Sequence, residues 1–353
     1  MTTLSMRRLG ASILCLRMRL QALSLALAVT ALHVLPASAS EPPKDCTLKQ
    51  YATLPVTYYE GITVIPVVID DHPVQIKLET ETAVSLIDEW AAKRLGLTVK
   101  RFNSGVSNDQ FREYTSIRAL SLGDVQLKYK DILIEQSSTD KERSIDRTPV
   151  GRLGMDFLGG VDIEIDLGHD RIKLFSTEHC PGAVVYWADQ YDVVPMRQGA
   201  MKDLYLAMEL DGKKLQTKLA TGYTYSHVSS YVTKRLYGWD EDSYDKGVQT
   251  WTENGETEHY RIVALSSGDL KVSNSKVMLR EIDGCRKNAH IAIDSDGAAG
   301  FEACGNRYPL YLGQNVLKKL RLYLAAKERK IYFTLADAHK SSGETGHQAE
   351  GGT

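Results

Sequence analysis

Glu79 and Glu81 stand two residues apart in the stretch KLETETAVSLI, residues 77 to 87. Two carboxylates in one loop can share a proton, so that one draws a proton from water while the other donates one. The plainer use of Glu81 is a side chain that points to solvent or pairs with a lysine or arginine, and this is the expectation. The stretch returns 141 residues later as KLATGYTYSHV, residues 218 to 228. In the second copy Ala220 and Gly222 replace the two acids, while Thr221 matches Thr80. Tyr223 and Tyr225 flank this copy; the core is the expected place for them, and the lining of a groove is the alternative. His227, just after them, reads as a surface or helix-start histidine. The other histidines beyond the N-terminal stretch (His72, His169, His179, His259, His290, His339 and His347) show no metal-ligand spacing. Asp156, after Gly154-Met155, reads as a helix cap. There is no Gly-x-Ser-x-Gly and no phosphate-binding loop, so neither metal nor cofactor is expected.

The register of the two copies extends well past the loops. Ile69, Asp70 and Val74 meet Leu210, Asp211 and Leu215 at the same offset, and Lys93-Arg94-Leu95 meets Lys234-Arg235-Leu236. A repeat of this length, with the same order of turn, strand and helix signals, reads as two related domains rather than a solenoid. Further on, ALSSGD at 264–269 echoes ALSLGD at 119–124, an offset of 145, and 311–333 echoes 152–174, an offset of 159. The growth from 145 to 159 places 14 inserted residues between Asp269 and Tyr311.

These repeats dictate the elements that must position the loops. Ile62–Ile69 and Val74–Leu78 form a hairpin about Asp70-Asp71 and deliver the chain to Glu79. Asp88 to Leu95 is a short amphipathic helix, with Asp88 placed to cap its start and Gly96 its end. Further strands are expected at 116–122, 125–135, 161–167 and 171–175. Alternation in VDIEIDL, 161–167, predicts one buried face. The chain is therefore expected to be mostly β, with one or two short helices per half. The expected parts are 1–39, a signal peptide; 40–190, the first lobe; 191–335, the second; and 336–353, a disordered tail unable to bury a core.

The N-terminal stretch has Arg7, Arg8, Arg17 and Arg19 before an apolar run from Leu20 to Leu35, then Ala37-Ser38-Ala39. This is the pattern of a secretory signal cut after Ala39, leaving no membrane span. Removing four arginines leaves 39 basic against 45 acidic residues, a balance of −6. No basic patch interleaved with aromatics is present, which argues against nucleic acid. Export to the periplasm or beyond favours disulfides, and the mature chain keeps Cys46, Cys180, Cys285 and Cys304. Three pairings are open. Cys46–Cys180, tying the ends of the first repeat, with Cys285–Cys304 inside the second, is the expected one.

Each half resembles a retropepsin-like aspartic protease domain of the kind found in exported bacterial proteins. The resemblance covers roughly 55–175 and 200–334 and rests on the order of motifs, met twice. A hairpin leads to an Asp-Thr-Gly-like loop, then a serine (Ser85, Ser226), a helix, and later an apolar-Gly turn (Leu153-Gly154, Leu312-Gly313) that packs beneath the loop. It implies two lobes about a pseudo-two-fold axis, each offering one loop to a shared cleft floor made of Glu79, Thr80, Glu81, Ala220, Thr221 and Gly222. The threonines would tie the loops together.

The departures fall where the chemistry would be. Glu79-Thr80-Glu81 and Ala220-Thr221-Gly222 stand where Asp-Thr-Gly is expected twice. Ala220 has no carboxylate, so no proton is shared across the axis. Glu79 carries its carboxylate one methylene further out, and a misplacement of about 1 Å can cost about a hundredfold in rate. Losing a positioned acid or base costs roughly 10²–10⁴ more. The expectation is a catalytically impaired pseudo-peptidase that binds a peptide or protein segment between the lobes. The alternative is an active endopeptidase using Glu79 with a non-standard partner.

Overall fold

Asp70 and Asp71 have φ of 46° and 71°, the left-handed pair that lets a two-residue turn follow the twist of its strands. They join strands Ile62–Ile69 and His72–Leu78, with Ile69 opposite His72 and Val64 opposite Lys77. In the second half Asp211 and Gly212, at φ 44° and 81°, join Leu204–Leu210 to Lys213–Leu219. Aspartate has a second reason to be there. Asp70 Oδ1 accepts the N–H groups of Arg118 and Ala119 at 2.7 and 2.8 Å, and Asp211 Oδ1 accepts that of Ala264 at 2.9 Å. Ala119 and Ala264 are partners in the sequence repeat, so the repeat is one of structure.

The computed structural model describes residues 46–102, 113–127, 131–136, 143–199, 203–253, 255–282, 290–301 and 307–340. The molecule is mostly β and has two lobes built on the same plan. After the first loop, Leu86–Asp88 lies parallel to Asp131–Glu135 and antiparallel to Gly151–Leu153. That last strand runs parallel to His72–Leu78, with Leu153 beside Leu78. After the second loop, Ser226–Ser229 lies parallel to Leu270–Arg280 and antiparallel to Leu310–Leu312, which runs parallel to Lys213–Leu219 with Leu312 beside Leu219. Each loop is thus held at the end of a strand that is paired on both sides. Helices Glu89–Arg94 and Ser230–Tyr237 follow, and Gly96 and Gly238 end them at φ 68° and 69°. Ser229 caps the second through the Val232 N–H. Asp88 does not cap the first: its carboxylate accepts the Trp90 indole N–H at 3.0 Å and faces Arg143 at 3.5 Å.

A third sheet is shared by both halves. Its order is Gln50–Pro55, Arg171–Phe175, Asp162–Asp166, then Leu320–Ala325, Lys330–Leu335 and Asp192–Pro195. The halves meet where Ile163 faces Leu324 and Ile165 faces Leu322. Here the alternating pattern misleads. Both faces of Asp162–Asp166 are buried, and Asp162, Glu164 and Asp166 are fully so. The chain after the strand pair folds back over the acidic face, where Val184, Trp187 and Ala188 pack with Phe175, Tyr323 and Tyr332. Buried carboxylates need partners. Asp162 has His179 at 2.7 Å, Glu164 has Arg321 at 2.9 Å, and Asp166 has Arg171 at 2.7 Å.

Cys46 and Cys180 are joined, with Cα atoms 5.0 Å apart, as the first repeat's ends require. Cys285 and Cys304 lie outside the described residues, as do the signal stretch and residues 341–353. The inserted residues include a hairpin, Ile291–Ile293 with Ala299–Phe301, that extends the second lobe's sheet beside Leu215. Ala336 and Ala338, which the sequence places in the tail, are tied down. Ala336 N–H donates to Lys319 O at 2.9 Å, and Ala338 packs against the aromatic cluster of the shared sheet.

Candidate functional site

Thr80 and Thr221 meet at the seam between the lobes and exchange hydrogen bonds in a two-fold pattern. Thr80 N–H donates to Thr221 Oγ1 at 3.1 Å, and Thr221 N–H donates to Thr80 Oγ1 at 3.2 Å. Each hydroxyl in turn donates to a carbonyl of the other lobe: Thr80 to Leu219, at 2.9 Å, and Thr221 to Leu78. Every polar atom of both side chains is therefore used, which only threonine or serine could do at these buried positions. The threonines are the tie between the lobes. Gln314 adds a second tie, its Nε2 donating to Gly61 O at 2.6 Å and Thr221 O at 3.0 Å.

Beneath the loops the two halves match residue for residue. Glu79 N–H donates to Leu153 O at 3.0 Å, and Ala220 N–H donates to Leu312 O at 2.9 Å. A Cβ on Gly154 would lie 2.7 Å from the Val84 backbone, and one on Gly313 2.5 Å from that of Tyr225. These are contacts that only glycine permits. Ser85 Oγ accepts the Gly154 N–H at 2.9 Å, as Ser226 Oγ accepts that of Gly313 at 2.9 Å. Ser85 then donates to Asp156 Oδ1 at 2.5 Å, and Ser226 to Asn315 Oδ1 at 2.9 Å. Asp156 is thus no helix cap. It latches the first loop, and Asn315 does the same for the second.

The symmetry ends at the side chains that would do chemistry. Ala220 is fully buried and offers no acceptor. An aspartate there would take the N–H two residues on in an Asx turn. Instead the Gly222 N–H donates to Glu81 Oε2 at 3.3 Å, across the seam from the other lobe. A Cβ on Gly222 would lie 2.1 Å from Glu81 Oε1 and 3.0 Å from Glu79 Cγ, so both acids crowd this glycine. Glu81 therefore does not point to solvent, and among the described residues it makes no side-chain ion pair with a lysine or arginine, contrary to the expectation from the sequence. It replaces from one lobe an acceptor that the other has lost. Glu79 has Arg152 at 3.7 Å, and Arg152 is shared with Glu135 at 3.2 Å.

Both acids are less acidic than usual. Burial, then the neighbouring charge of Glu79, pushes Glu81 from its ordinary 4.5 up to about 8, against the pull of its backbone hydrogen bonds and Lys218. Burial also raises Glu79, and Arg152 opposes it. Between pH 4.5 and 8 the folded chain thus keeps a proton on Glu81 that the unfolded chain has released. Stability from this source is fully present below pH 4.5 and is lost as pH rises through 8. The slope for one proton is at most roughly 1.4 kcal/mol per pH unit. Glu81→Gln should flatten this dependence. Urea midpoints at pH 5 and pH 8 should fall further in the parent than in the variant, and equal falls would mean that Glu81 is ionised throughout.

The second loop has surroundings that the first lacks. Lys218 and Asp203, both buried, pair at 2.8 Å, and Lys218 Nζ also donates to Glu81 O at 2.8 Å. The signal for this lysine was its repetition at Lys77 and Lys218, but nothing in the sequence named Asp203 as its partner. His227 lies on a strand rather than at the surface. It is 8% exposed, stacked on Tyr311 with centroids 4.6 Å apart and edge-on to Tyr223 at 4.8 Å. Burial, with Arg280 nearby, lowers it to about 4. Tyr223, expected in the core, is 37% exposed and lines a groove with Tyr225 and Trp251. Among the described residues no group of three His, Cys, Asp or Glu side chains is placed to hold a metal ion.

No family model matches the chain, and no curated protein matches it. Solved structures do. The aspartic proteinase from Irpex lacteus aligns over 80% of this chain and 97% of its own, with 9% identity and a TM-score of 0.46. Conglutin gamma, a basic 7S globulin from lupine seeds, aligns over 82% and 95%, with 9% identity and a TM-score of 0.44. Basic 7S globulin from soybean aligns over 83% and 96%, with 8% identity and a TM-score of 0.44. In this chain two lobes of one plan share a sheet and meet at two threonine-tied loops.

Proposed function

We propose that this is an exported, retropepsin-like pseudo-peptidase of the bacterial tandem type, acting in the periplasm or outside the cell. Its cleft binds an extended peptide or protein segment without cutting it. The observation that carries the reading is the fate of the second loop. The threonine tie is complete, yet position 220 holds a buried alanine and Glu81 has filled the gap from the other lobe. The frame that forms a cleft is kept while the facing pair of carboxylates is not. Strand-like main-chain pairing would hold the segment, and such pairing needs no catalytic pair. The Cys46–Cys180 disulfide fits an oxidising compartment.

The test is cleavage. Mature protein incubated with reduced, unfolded casein between pH 3 and 7 is expected to leave it intact while retaining it on an affinity column. A second reading, an endopeptidase using Glu79 with Glu81 as partner, is favoured by one observation: the two side chains crowd the same glycine, and the charge of Glu79 helps to raise the proton affinity of Glu81. Casein cleavage that disappears in Glu79→Ala would establish that reading and overturn the first.

A further inference from the structure

Beside the second loop lies a groove of about 400 Å³. Its walls are the rings of Tyr223, Tyr225 and Trp251, the last two meeting edge to face at 5.9 Å. Lys276 stands behind this wall, 4.3 Å from the Trp251 ring and 5.0 Å from that of Tyr225, and fixes both. The rim carries Glu60 from the first lobe and Glu256 and Glu258 from the second. Among the described residues one guanidinium lines the groove, that of Arg280, and Glu258 occupies it through two hydrogen bonds of 2.8 and 3.2 Å. Glu60 and Glu256 have no ion-pair partner among the described residues. Gly222 joins the groove to Glu79 and Glu81 on the cleft floor, and Tyr223 stands in the field of both acids, which outweigh the opposing Arg307 and Arg280 there. His227 adds no positive charge near neutral pH.

We propose that this groove seats a lysine or arginine side chain of the segment bound in the cleft. The inference rests on the peptide-binding reading above. A long alkyl stem covers the aromatic wall while its cationic head reaches the rim, the division of labour that such side chains allow. Aromatic faces attract the cation, and Glu60 and Glu256 supply the charge complement. An acidic side chain would meet like charges on the rim and the floor. A purely apolar one would strip water from Glu60 and Glu256 and return nothing.

Three nonapeptide pools test this, each with random flanks and a fixed central lysine, norleucine or glutamate, passed over immobilised mature protein. The lysine pool should be retained about tenfold more tightly than the norleucine pool, the combined scale of one cation–ring contact and exposed ion pairs. The glutamate pool should be retained least. In the double variant Glu60→Lys/Glu256→Lys, both positions being exposed, the order of lysine and glutamate should reverse. Equal retention of lysine and norleucine, or an unchanged order in the variant, overturns the seat and leaves peptide binding standing. Retention of no pool overturns the peptide-binding reading and the seat with it.

Discussion

Arg321→Ala is expected to lower the free energy of unfolding by about 3–5 kcal/mol, the scale for removing one partner from a buried ion pair. Arg321 sits on the second half's central strand and reaches the acids of the first. Its Nη2 is 2.9 Å from Glu164 Oε1, and its Nε is 3.6 Å from Asp166 Oδ2. It also donates to the Tyr186 hydroxyl at 3.1 Å and lies 4.2 Å from the Trp187 ring centroid. Alanine would leave Glu164 with Lys173 at 3.7 Å and the Tyr186 hydroxyl at 2.8 Å, too little for a carboxylate with no exposed surface. The double variant Arg321→Leu/Glu164→Leu removes both charges together and should cost less than Arg321→Ala alone, because the carboxylate of Glu164 is no longer left buried without its guanidinium. Denaturant midpoints at constant slope measure both. A loss below about 1 kcal/mol for Arg321→Ala, the range of exposed pairs, would mean that water reaches this sheet.

That network also marks a limit of reading the chain alone. Alternation in VDIEIDL correctly describes a strand with two unlike faces. It cannot tell that residues 184–188 return to cover the acidic face, nor that the arginine to neutralise it comes from residue 321. The framework around the loops was legible because each of its parts is local or repeated. The Asp70 and Asp211 turns, the Gly154 and Gly313 contacts and the two serines each declare themselves twice at fixed offsets. Residues whose place the sequence does not reveal share one physical reason, a contact made across the fold. Glu81 has no counterpart, so its direction depends on an acceptor missing at Ala220, on the far side of a seam that no local pattern describes. The aromatic ring of Tyr223 argues for a place in the core, but the residue lines a groove that Glu60 and Ile62 of the other lobe also line. Asp156 became a latch only because Ser85 folds down onto it.

Restoring both motifs should restore hydrolysis. The triple variant Glu79→Asp/Glu81→Gly/Ala220→Asp is expected to cleave unfolded casein at acid pH at least about a hundredfold faster than the parent, the lower end of what a positioned acid or base contributes. Three features make the frame ready. The threonine tie already sets the loops face to face, and Leu153 O and Leu312 O already hold residues 79 and 220 in matching positions. The Gly222 N–H, released by removing Glu81, becomes the donor for a carboxylate at 220. Shortening residue 79 draws its carboxylate back by one methylene, toward the position that the symmetric loop dictates. Two carboxylates facing across the axis would then titrate as a pair, one low and one raised, and the rate should show a bell-shaped pH dependence. The double variant Glu79→Asp/Glu81→Gly, which keeps Ala220, separates the contributions. It should fold, lose the pH dependence of stability that Glu81 supplies, and remain inactive, because a single carboxylate has no partner with which to split its proton. Activity in that double variant equal to the triple would show that position 220 is not where the missing acid belongs. A triple variant that is folded, retains peptides and still cuts nothing would show that the block lies beyond these three positions.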